Sequence, residues 1–262
     1  MRNDQRNQRS PFQVSNPAFK ESAYLDRAAA GEAPATAAGA VGKTGILLSI
    51  VIAMGVIGWT FGTAPVALAA IVGALALAFW IAFRPQQAKV LSICYAVVQG
   101  FGVGYFSRLI NASIAQSENA KALMFRGAIP VALGGTLIVT AVMLVLYRTK
   151  VIRVTETFKA VIIGATIAVG ITYLITFFGG MLFPALRTLA IYQPTGIGIA
   201  FSVFVIALAA MNLILDFHWI EQAEENRCPK YMEWYTGWGL TVTIIWLYIE
   251  ILRLLSKLAN RR

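Results

Sequence analysis

The sequence predicts an all-α integral membrane protein, a bundle of seven transmembrane helices, and three observations carry that prediction. Its apolar residues gather in blocks of roughly 20, the length a helix needs to cross the hydrocarbon core. Charged residues make up 13% of the chain and hydrophobic ones 58%, whereas soluble domains carry about 25% charge. The connectors GTA at 62–64 and RPQQ at 84–87 are so short that they force neighbouring spans into antiparallel pairs.

The first 43 residues form a polar tail rich in Asn, Gln, Ala and Arg, without an apolar core of its own, and residues 44–262 form the transmembrane domain. No short apolar segment follows the first basic residues, so no cleavable signal peptide is expected and the first span acts as the insertion signal. The apolar runs are Thr44–Phe61, Pro65–Phe83, Ala88–Ile110, Ala128–Tyr147, Phe158–Met181, Gly196–Ile220 and Tyr231–Leu255. Between the fifth and sixth runs, GGMLFPALRTLAIYQPT carries Pro184 and Pro194 and is expected to include a small interfacial helix. No sequence period of 20–50 residues is evident.

Basic residues set the orientation. With a cytoplasmic N-terminus, 14 Lys and Arg fall in inside segments and 8 outside, which favours that topology. The basic C-terminal end is the discordant item: seven spans place it outside, whereas six spans plus a re-entrant segment place it inside.

The sixth and seventh runs, joined by EQAEENRCPK, make a transmembrane hairpin with acids in its apolar register: Asp216, Glu233 and Glu250. A carboxylate at a helix centre costs roughly 2.5–3.5 kcal/mol on insertion scales, so its presence points to function. In span six, Gly198, Ser202, Val205, Ala209, Asn212 and Asp216 recur at steps of three and four, a face of small and polar side chains suited to a cavity. Phe201, Phe204, Ile206, Met211, Ile214 and Leu215 occupy the other faces. In span three, Gly100 and Gly104 have the spacing of close helix packing, and Ser92, Tyr95, Gln99 and Gly102 share one face turned toward the bundle interior. Gln99, Ser202 and Asn212 are therefore the pathway-lining candidates. Glu250 and Arg253 stand at i, i+3 and can pair along their own helix. His218, between Phe217 and Trp219, reads as an interfacial residue. Cys94 and Cys228 form no disulfide framework and no ligand pair.

The runs YAVVQGFGVGYFS and FSVFVIALAAMNLILDFHWIEQ, the end PKYMEWYTGWGLTVTIIWLYIEILRLLSKL and the tail motif Ser15-Asn16-Pro17-Ala18-Phe19 resemble the Bax inhibitor superfamily, in particular its bacterial YccA-like branch. That resemblance implies six helices around a central C-terminal seventh, in a bacterial inner (plasma) membrane. It also implies a pH-sensitive leak of Ca²⁺ or other cations, gated by an acidic pair on the last two spans. Asp216 matches the family's acid in the sixth span, while Glu233 and Glu250 both align with its seventh-span partner. Where the superfamily commonly has a glutamate in span three, this chain has Gln99.

Two carboxylates sharing a low-dielectric site titrate as a unit, and a shared proton can bias two arrangements of a hairpin. Counted from a connector centred on Glu225, Asp216 lies nine positions before and Glu233 eight after. Glu250 lies twenty-five after, some 25 Å deeper than Glu233 at about 1.5 Å per residue. The expected proton-sharing pair is therefore Asp216 with Glu233, which would also offer a weak, transient Ca²⁺ contact far short of the usual six to eight oxygens. No cofactor is expected beyond Ca²⁺ as a permeant ion. The rival reading is a non-conducting membrane-embedded binder that modulates a membrane protease or a translocation complex. HExxH, GxSxG and an intramembrane His–Ser combination are all missing, so no enzyme is expected. The partners are the bilayer, cations and another membrane protein; nucleic acid is not among them.

Overall fold

A computed structural model describes residues 33–117, 127–183, 189 and 191–261, the side chains of residues 181 and 182 excepted. The tail motif at residues 15–19 and the middle of the expected interfacial helix lie outside the described residues. Of that segment, residues 191–195 are turn and bend.

Seven helices match the seven apolar runs: α1 Ala37–Phe61, α2 Ala64–Phe83, α3 Ala88–Ala115, α4 Ala128–Arg148, α5 Glu156–Leu182, α6 Gly196–Glu225 and α7 Met232–Ala259. A single 3₁₀ turn, Pro85–Gln87, joins α2 to α3. All seven spans are long and apolar enough to cross a membrane. The helices outrun the hydrophobic runs because caps and connectors, rather than hydropathy, end them. Helix α1 starts at Ala37, inside the stretch expected to be tail, because the Thr36 hydroxyl accepts the Gly39 N–H at 3.0 Å as its N-cap. Thr155 and Thr195 cap α5 and α6 in the same way. Helix α6 closes in a Schellman motif, with Cys228 N–H bonded to Ala223 O and Arg227 N–H to Glu224 O, and Arg227 left-handed at φ 52°.

Helix α7 is the central element. It packs on α1, α3, α4 and α6, and its Trp234, Trp238 and Val242 reach a cluster with Ala74 and Ile81 of α2. Leu213, Leu240 and Leu247 lie in the core shared by α6 and α7. The perimeter shows the reverse pattern: Val56, Phe79, Leu137, Val161 and Ile197 are exposed, as residues facing lipid should be. Hydrocarbon gives apolar side chains little reason to leave it, so helix association depends on close packing of small residues. At the α1/α3 crossing, a Cβ on Gly100 would fall 2.6 Å from Val51 O, and one on Gly58 or Gly104 would overlap the opposing backbone. The Gly100 and Gly104 spacing therefore marks a backbone-to-backbone crossing, completed from α1 by Gly55 and Gly58. Arg108 closes the far end of that pair by donating to Trp59 O at 2.9 Å and Gly62 O at 2.6 Å.

Helix α2 leans on α3, and α5 leans on α6. A cavity of about 670 Å³ lies between α2 and α5, with residues of α3 and α7 also lining it.

Candidate functional site

The α6/α7 hairpin places the acids at three different depths. Asp216 faces α7 at Gly239, where an added Cβ would sit 3.7 Å from Asp216 Oδ1, and the Thr243 hydroxyl one turn further on lies beside the same carboxyl. Its Oδ2 is buried without a hydrogen-bond partner among the described residues. A cavity of about 310 Å³ opens at this point, lined by Asp216, Trp219, Gln222, Tyr235, Trp238 and Gly239 among others. The indole Nε1 of Trp238 is also buried and unpartnered among the described residues. Both residues line the one cavity, and each keeps a buried polar atom without a protein partner among the described residues, a cost that a water or an ion could relieve.

Glu233 is elsewhere. Its carboxylate is 2% exposed and accepts three hydrogen bonds on Oε1, from Thr36 N–H at 3.0 Å, Thr36 Oγ1 at 2.9 Å and Lys230 Nζ at 2.7 Å. Gly39 leaves the space it occupies, since any Cβ there would overlap the carboxylate. Ala35 N–H bonds to Cys228 O at 2.8 Å, and Pro34 bridges Pro229, so the segment before α1 is stitched to the start of α7. The expected pairing of Asp216 with Glu233 is thereby corrected. Helix α6 runs to Glu225 and α7 starts only at Met232, which centres the connector between Cys228 and Pro229 rather than at Glu225. The level of Asp216 on α7 shifts accordingly to Gly239–Thr243. Glu233 lies six residues short of Gly239, about 9 Å along the helix, and Glu250 seven beyond Thr243, about 10 Å.

Glu250, 1% exposed, pairs with Arg253 as expected. Its Oε1 accepts from Arg253 Nη1 at 3.1 Å and from the Tyr173 hydroxyl at 3.0 Å, and the guanidinium lies 4.8 Å over the Tyr173 ring. The small-residue stripe of α6 faces inward but serves two different contacts. Ser202 Oγ and Gly198 O accept from Lys257 Nζ at 2.8 and 2.9 Å, and Asn212 donates to Thr166 Oγ1 at 2.8 Å. Ser202 and Asn212 are thus engaged in helix contacts, whereas Gln99 lines the cavity between α2 and α5. Ile214 and Leu215, placed by periodicity off the small-residue face, are also buried, because α6 is packed by α4, α5 and α7 together. His218 sits beside Trp219, and Cys94 and Cys228 form no disulfide with each other.

A family model described as Bax inhibitor 1 like matches residues 16–260. The chain belongs to the Bax inhibitor 1-like family. No curated protein and no solved structure matches it. Among the described residues no three His, Cys, Asp or Glu side chains come together in a group that could hold a metal ion.

Sequence reasoning missed four of the groups that organise this site in a Bax inhibitor 1-like chain. Lys257 shares a helical face with Glu250 and Arg253 at i, i+3 and i+7, a signal visible in the sequence. Trp238 and Thr243 carried no such signal, since only the hairpin register brings them to Asp216. Thr36 could not be found either, because 197 residues separate it from Glu233.

Proposed function

We propose that this Bax inhibitor 1-like protein is a proton-sensitive cation leak, not an enzyme, in which Asp216 alone is the titrating and cation-contacting group. The observation that carries the reading is Asp216, which lines the 310 Å³ cavity between α6 and α7 and whose Oδ2 is buried without a hydrogen-bond partner among the described residues. An unpaired carboxylate away from water is costly, and either a proton or a cation removes that cost, so the two compete for one oxygen. Gly239 and Thr243 are the neighbours that a change in the carboxyl's charge would disturb first. Because the hairpin packs α6 directly on α7, that disturbance acts on the central helix.

A resident Ca²⁺ site does not fit this arrangement, since one carboxylate and nearby amide or hydroxyl oxygens fall short of six to eight ligands. Ca²⁺ is better treated as cargo, held briefly, as conduction requires. The N-terminus belongs on the cytoplasmic side by the Lys/Arg bias, which makes the Asp216 cavity a vestibule on that side. The experiment is Ca²⁺ and monovalent cation flux into liposomes holding the purified chain, measured across pH. The expected result is a flux that varies with pH in the wild type and loses that variation in Asp216→Asn. No flux at any pH would instead favour a non-conducting binder of another membrane protein.

A further inference from the structure

A second site lies apart from Asp216, at the other end of α7. There Glu250, Arg253 and Lys257 project from one face of the helix. Lys257 is 5% exposed, and its ammonium spends its hydrogen bonds on Ile191 O, Gly198 O and Ser202 Oγ rather than on an acid. Arg253 gives one nitrogen to Glu250 and lays its face on Tyr173. Two cations therefore share one carboxylate. Among the described residues no other acid reaches this end of the bundle, the remaining ones lying on α5's first turn, on the α6 half that includes Asp216 and the connector, and at the start of α7. Among the described residues Lys257 is therefore left without an acid of its own, in a membrane domain where charges are held in pairs.

The 670 Å³ cavity between α2 and α5 ends on Arg253, whose guanidinium pairs with Glu250 through one nitrogen. Arg253, Tyr192 and Thr176 stand at one end, while Leu75, Ala78 and Val242 continue it toward the middle of the bundle. From Arg253 to Val242 is eleven residues of α7, about 16 Å, or half of the ~30 Å hydrocarbon core. Its walls are lipid-facing helices, and Val72 and Phe178 at its rim are themselves exposed. A polar, cationic end at one membrane surface and an apolar channel one leaflet deep match a single acyl chain with an anionic head.

We infer that the cavity between α2 and α5 binds a long-chain fatty acid from the bilayer, with its carboxylate on the guanidinium of Arg253 and its chain lying toward Val242. A guanidinium presents a fork that takes a carboxylate in two parallel hydrogen bonds, and only one of its nitrogens is used by Glu250. A cavity of about 670 Å³ takes one acyl chain more readily than the two of a phospholipid.

The test uses the full chain in detergent micelles with cis-parinaric acid, a fluorescent fatty acid, excited through the protein's tryptophans. Saturable energy transfer, displaced by palmitate but not by methyl palmitate, is the expected result. Arg253→Gln should weaken binding at least 10-fold. Gly170→Phe, which keeps Arg253 and fills the cavity wall where a glycine now stands open, should weaken it as much, so that a folding defect in the first variant does not decide the outcome. Displacement by methyl palmitate as effective as by palmitate would overturn the role of the charge. Displacement by phosphatidylglycerol alone would overturn the fatty acid in favour of a phospholipid. Equal binding in Gly170→Phe and wild type would remove the cavity from the argument. None of these outcomes bears on the pH dependence assigned to Asp216.

Discussion

Glu233 Oε1 accepts both the backbone N–H and the hydroxyl of Thr36, at 3.0 and 2.9 Å, and so ties the N-cap of α1 to the first turn of α7. Hydrogen bonds to a buried charged group contribute about 1.5–3 kcal/mol, whereas the bond from the half-exposed Lys230 is worth less. Thr36→Ala and Glu233→Gln should each lower the thermal stability of the detergent-solubilised protein by about 1–3 kcal/mol. Because the two act through one contact, the double variant should fall well short of the sum. Strict additivity in thermal melts would show that the tie contributes nothing.

The same tie separates Glu233 from the pH response. Flux that varies with pH should flatten in Asp216→Asn and keep its profile in Glu233→Gln, measured in liposomes at matched protein density. A profile lost in Glu233→Gln and kept in Asp216→Asn would restore a role that the hairpin register takes away.

Helix α3 meets α1 backbone to backbone. Gly100→Ala places a Cβ 2.6 Å from Val51 O, an overlap that must push two helices apart at a cost of about 1–3 kcal/mol. Gly164→Ala on α5, where nothing lies within 4 Å, should leave stability unchanged or raise it by up to about 1 kcal/mol. Comparable melting temperatures for the two variants would mean that the crossing is looser than its geometry.

Lys257 holds α7 to α6 through Ser202 and Gly198 and to the preceding connector through Ile191. Lys257→Met should cost stability through three lost charge-assisted bonds, on the order of 2–4 kcal/mol. Ser202→Ala removes one acceptor and should cost about 1 kcal/mol. Denaturant unfolding of both variants checks the order.

Seven spans put the two termini on opposite sides of the membrane, and the Lys/Arg bias predicts a cytoplasmic N-terminus. Reporter fusions at Met1 and Arg262 should therefore give opposite readings, cytoplasmic for the first. A cytoplasmic reading at Arg262 together with one at Met1 would require an even number of crossings.

The sequence by itself determined that there are seven spanning helices and roughly where each lies, since a bilayer demands about 20 apolar residues for each span and every backbone group satisfied within it, while α1 begins at Ala37 in the stretch read as tail. It also determined the Gly100 and Gly104 crossing and the Glu250–Arg253 pair, because both are read from spacing within one helix. Only the tertiary structure decided which α7 residues meet Asp216. A hairpin's register depends on where its helices stop, and the Schellman turn at Arg227 with the late start at Met232 moves the level of Asp216 past Glu233 to Gly239 and Thr243. Tertiary structure likewise gave Glu233 to Thr36 and left the cavity ending on Arg253 between α2 and α5. Contacts between residues distant in the chain are set by how the helices lean on α7, which no local pattern of hydropathy records.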